Sequence, residues 1–129
     1  MSVTTTLAHH EDPEVDAAHG YVATVMDALA AQGIALGPSH LDPKGPVDAT
    51  IRSGDRALVW DEWHGWRIGG YVSGRPGERT VLKDAVELGG GVLLRPAELA
   101  DLVRRSATLP PVTREPGARD GLFDALREY

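Results

Sequence analysis

The chain of 129 residues contains no cysteine. That excludes disulfides, thiolate metal ligands and thiol catalysis. No apolar run approaches the roughly 20 residues a membrane-spanning helix needs. Lysine occurs only at Lys44 and Lys83, and the formal net charge is −6. Broad attachment to nucleic acid or to an anionic lipid surface requires a positive field, so neither is expected. Two short basic stretches, "LVRRS" at Leu102–Ser106 and "RSGDR" at Arg52–Arg56, are too small to reverse that balance. The opening "MSVTTTLAHHEDPEVD" lacks a basic segment followed by an apolar one, so no secretory signal is visible. Together with the missing cysteine, this reads as a cytoplasmic protein.

What is present is ordinary for a folded domain: 42% hydrophobic and 25% charged residues, in a length that suits one core. Residues 1–13 are polar and end at a proline, and read as a disordered tail. Residues 14–106 read as a single domain, 107–119 as a proline-rich linker and 120–129 as a short C-terminal helix. Tyr21, Val22, Val25, Met26 and Leu29 recur at helical spacing, which predicts an amphipathic helix from about Pro13 to Gln32 with Gly33 as its stop. The stretch "GIALGPSHLDPKGPVD" reads as a loop. "VDATIRS", "RALVWDE" and "WRIGGYVS" alternate with period two, and further strands are predicted near Thr80–Leu82 and Val92–Leu94. "RPAELADLVRRS" restores a helical period behind Pro96. The order of these elements predicts an α+β fold: a small antiparallel sheet of about three to five strands, packed against an N-terminal helix and a second helix.

All three tryptophans fall in "VWDEWHGWRIGGY", Val59–Tyr71. With Asp61–Gly65 as the loop, Trp60 and Trp66 face each other across one hairpin and belong to the core. Trp63 falls at the turn, near solvent, where an indole is suited to anchor a partner. Glu62 and Arg67 flank it, and the three together form the candidate binding site.

The other candidates for chemistry are weaker. Asp61 and Glu62 point to opposite faces of an extended strand, and Glu62 with His64 makes only two ligands, so no metal site is expected here. "HHED" at His9–Asp12 sits on the tail, and His40 and Asp42 lack a third partner. "LGGGVLLRPAEL" has glycines ahead of a helix, but Val92–Arg95 intervene and neither a GxGxxG nor a GK[ST] pattern is present. No catalytic residue, cofactor or metal is assigned. An argument for single-stranded nucleic acid rests on Trp63 near Arg52, Arg56 and Arg67, and the acidic net charge stands against it.

"YVATVMDALAAQGI", "DATIRSGDRALVWDEWHGWRIGGY" and "LGGGVLLRPAELADLV" together resemble a family of small actinobacterial proteins of unknown function, over about residues 19–105. The excess of arginine over lysine, with abundant Ala, Gly, Val and Pro, fits such a source. The resemblance implies one domain and carries no activity. Two functions stay open: a non-catalytic module binding another protein through the sheet face or the turn at Trp63, and a small-ligand binder or enzyme using a cleft between hairpin and helix. Self-association is open as well.

Overall fold

The computed structural model describes residues 7–42, 46–111, 113–115, 118 and 120–129. Asp12 caps the first helix by accepting the Glu14 N–H at 2.9 Å. Glu14 and Asp16 place negative charge in the first turn, where the helix dipole favours it. The helix is bent. It runs as α1 (Pro13–Asp16), tightens where the Ala18 N–H bonds to the Val15 carbonyl, and continues as α2 (His19–Ala31). The alanines at the bend carry no breaker chemistry, so the apolar period passes through it unmarked. Tyr21, Val22, Val25, Met26 and Leu29 are all buried.

Five strands follow in one antiparallel sheet whose spatial order is the chain order: β1 (His40–Asp42), β2 (Asp48–Ser53), β3 (Arg56–Asp61), β4 (Gly65–Ser73) and β5 (Val81–Glu87). The fold is α+β, as the pattern predicts, with two differences in detail. β1 lies inside the stretch read as a loop. The strand predicted at Val92–Leu94 is a turn, whose carbonyls are taken by side chains of the core rather than by a neighbouring strand. α3 (Pro96–Arg105) starts at its proline and ends at Ser106, which adopts a left-handed conformation. α4 (Leu122–Arg127) completes the chain. Among the described residues no helix is long and apolar enough to cross a membrane.

The period-two alternation sends Ala49, Ile51, Leu58, Trp60, Trp66 and Ile68 toward the helices, and all six are buried there. Burial of one large apolar side chain contributes about 1.5–3 kcal/mol. α3 and α4 pack on α2, and α4 adds Leu122 and Leu126 to the same core. Residues 1–6 of the segment read as a tail lie outside the described residues. Leu7 is buried, and its carbonyl accepts a hydrogen bond from His19 Nε2 at 2.7 Å. Within the segment read as a linker, Leu109 donates to the Leu88 carbonyl and Pro110 accepts from Gly90.

β5 is a sheet edge. Asp84 at φ 53° and two register shifts against β4 make it irregular, while Val81 and Val86 stay half exposed. Bulges of this kind blunt an edge against pairing with another strand.

Candidate functional site

The tryptophan hairpin divides into a buried part and a tip. Trp60 and Trp66 are cross-strand partners with no exposed surface. Burying an indole requires an acceptor for its N–H. Trp60 Nε1 donates to the Val92 carbonyl at 2.7 Å, and Trp66 Nε1 donates to the Tyr21 hydroxyl at 3.1 Å. Tyr21 in turn donates to the Leu94 carbonyl. Burial pushes the Tyr21 hydroxyl pKa upward, so it stays a donor. This chain of bonds ties α2, the hairpin and the turn before α3 into one unit.

At the tip, Asp61 Oδ1 accepts the N–H groups of Trp63 at 2.8 Å and His64 at 2.7 Å. An aspartate that bonds main-chain groups two and three residues on forms a turn by itself. The His64 ring lies 3.2 Å from the same oxygen, and Arg67 Nη2 lies 3.6 Å from Oδ2. Glu62 is reciprocally bonded to Val47: its N–H donates to the Val47 carbonyl at 3.2 Å, and its carboxylate accepts the Val47 N–H at 3.0 Å.

A third support comes from beyond α3. The Arg114 N–H donates to the Trp63 carbonyl at 2.7 Å, and its guanidinium lies 3.7 Å from Glu62. Asp120 holds that guanidinium through Nε at 2.8 Å and Nη2 at 3.1 Å. Such paired bonds fix direction as well as distance.

Of the predicted site residues, Trp63 is half-buried. Its indole N–H is screened from solvent and has no acceptor among the described residues. Glu62 is spent on holding the turn, and Arg67 keeps about a third of its side chain exposed, 34%. Arg52 and Arg56 do not join them. They flank the opposite end of the hairpin, about 17 Å away along a six-residue strand. Arg52 there covers the Tyr71 ring at 3.4 Å. The stacking-with-cations arrangement considered from the sequence is therefore not assembled.

Two grooves lie at the two ends of the hairpin. One, of about 480 Å³, adjoins Arg114 and is lined by Val92, Leu93, Leu122 and Ala125. The other, of about 340 Å³, lies between the hairpin and α3, with Ile34, Leu58, Ile68 and Val103 as its floor and Arg56 and Arg104 at its rim.

The sheet face turned away from the helices holds what the sequence reading missed. Asp42, Asp48 and Asp61 stand side by side on β1, β2 and β3, paired Asp42 with Asp48 and Asp48 with Asp61. Their exposures are 1%, 4% and 3%, and Thr50 on the same face is equally covered. Thr50 and Thr80 hydroxyls are 2.7 Å apart, so the segment entering β5 lies over this face. His40 and Asp42, set aside for want of a third partner, have Asp48 beside them. The signal was the polar phase of "VDATIRS", which puts Asp48, Thr50 and Arg52 on one face; the partner strand β1 was hidden by its prolines. Among the described residues no group of three or more histidines and carboxylates is placed to hold a metal ion.

By its layers the chain is an α+β protein: an antiparallel meander covered on one face by helices, with a braced aromatic tip and an acidic outer face. It belongs to DUF6292, a family of unknown function, which matches residues 21–105. No curated protein and no solved structure matches the chain. The family match takes in α2 from Tyr21 onward, all five strands and α3; Arg114 and α4 lie outside it.

Proposed function

We propose that this protein is a non-catalytic interaction module that engages another protein through its hairpin tip. Trp63 is the anchor, and Glu62 and Arg67 set its orientation. The observation that carries this reading is a partly exposed indole on a turn braced from three directions, by Asp61, Val47 and Arg114. Aromatic anchors held in advance lose little conformational entropy on binding, and such residues carry a disproportionate share of the energy. The apolar groove beside Arg114 adjoins the tip and offers the partner a second foothold.

Site-directed photo-crosslinking in the native host tests it. A photoreactive residue replacing His64, whose side chain is 41% exposed beside the intact Trp63, should give a discrete protein adduct, and one replacing Ala30, exposed on α2, should not. Equal labelling from both positions, or none from either, overturns the reading.

A second reading is favoured by one observation, the groove between hairpin and α3 with its apolar floor and two arginines. There the protein would be a small-ligand binder. Its volume is at the low end of ligand sites. Native mass spectrometry of protein taken from its host should then show a co-purified small molecule, lost on replacing the part-buried Val103 of the groove with a larger side chain. A bare protein mass counts against it.

A further inference from the structure

The Asp42–Asp48–Asp61 row goes beyond the tip. Carboxylates directly opposite each other in a sheet have Cβ atoms about 4.5–5.5 Å apart, and like charges there destabilise the pairing. Three in a row, almost without solvent, are tolerated when the charge is reduced. Asp48 is the middle member and meets a neighbour on both sides. Asp42 faces it from β1 and Asp61 from β3, while Arg67 of β4 and Arg79, ahead of β5, act on it with the opposite sign. His40 lies on β1 next but one to Asp42, and His64 contacts Asp61.

The strands differ in how firmly they are held. β2 and β3 are paired on both sides, whereas β1 is three residues long and paired on one side only. Repulsion within the row is therefore relieved most easily by moving Asp42 away.

We propose that the row is a proton-operated catch on β1: one proton on Asp48 keeps the edge strand paired to β2, and its loss drives β1 off the sheet.

The electrostatics support the geometry. Burial, with the charge of Asp42 next in size, raises the Asp48 pKa from 3.8 to about 7; Arg79 and Arg67 pull it down and Asp61 pushes it up. The sign follows from linkage. Below about pH 3.8 folded and unfolded chains both hold the proton and the contribution to stability is fully present. Between 3.8 and about 7 the unfolded chain has released it and the folded chain has not, so stability falls as pH rises, and the contribution is lost above about 7. His40 works in the other direction. Burial lowers its pKa against the opposing charge of Asp42, so its contribution is present above about 6.5 and is lost as pH falls. Global stability mixes the two, and a site-resolved measurement separates them.

The experiment is a carboxyl NMR titration of the full chain, combined with amide hydrogen exchange corrected for its intrinsic pH dependence. The Asp48 carboxyl should titrate near pH 7. Protection of the β1–β2 amides should fall about tenfold or more between about pH 6 and pH 8.5, while β3–β4 amides hold theirs. Asp48→Asn should keep β1 protected throughout. Asp42→Asn should lower the Asp48 pKa and also keep β1 paired, which leaves a test in hand if Asp48→Asn does not fold. An Asp48 carboxyl titrating below about pH 5, or β1 protection that is flat with pH while Asp48 titrates, overturns the proposal.

Discussion

A Cβ placed on Gly65 would lie 2.7 Å from the carbonyl oxygen of Gly91. The end of the hairpin tip and the glycine-rich stretch before α3 thus meet backbone to backbone. Gly65 also has φ +74°, a conformation that side chains disfavour.

Gly65→Ala should therefore destabilise the fold twice over. The left-handed backbone alone costs about 1–2 kcal/mol, and the overlap with Gly91 adds to it. Chemical denaturation should show a midpoint well below wild type. A midpoint at the wild-type value would mean that the two backbones part without cost.

Trp60→Ala should be more damaging. Truncating a fully buried aromatic costs about 3–5 kcal/mol, and this indole also bonds the Val92 carbonyl. Tyr21→Phe should cost about 1–3 kcal/mol, because it strands the buried Trp66 N–H and the Leu94 carbonyl together. Equilibrium unfolding of both variants checks the ranking. A Trp60→Ala loss below about 1 kcal/mol, far short of that cost, would contradict the burial.

Trp63→Ala should behave differently. Its removal loses part of a buried surface but also removes an indole N–H that has no acceptor among the described residues, and the two effects offset. The expected stability change is less than about 1 kcal/mol. Partner capture, by contrast, should disappear. Melting curves and binding to the crosslinked partner, measured on one preparation, distinguish an anchor from a structural lid.

The purified, untagged protein should carry no stoichiometric zinc, iron or copper. Thiolates are absent from the sequence, and the carboxylate row is crossed by arginines rather than open to a cation. Elemental analysis returning about one metal per chain would refute this.

The reach of the sequence can be traced residue by residue. Trp60 opposite Trp66 was legible because alternation fixes the faces and a short loop fixes the register. The helix faces were legible for the same reason at a different period. β1 was not, because three residues among prolines carry no measurable alternation. The aspartate row depends on β1–β2 register, and so it stayed hidden with that strand. Trp63 was placed correctly at the turn, but its surroundings were not foreseeable: Arg114 and Glu62 meet there only after the chain has passed through β4, β5 and α3.

The meander also has a kinetic consequence. Each strand pairs with the next in the chain, so every ladder closes through a short loop, the kind of contact that forms quickly. The helices are the exception, since α2 packs on α3 and on α4, both far along the sequence from it. A Cβ on Gly20 of α2 would overlap the Tyr129 backbone, so the final residue seats against the first long helix. On a ribosome the sheet and α3 are complete before α4 emerges. Docking of α4 on α2 is then a late step, in which a helix made after the sheet brings Leu122 and Leu126 into a core the earlier elements share.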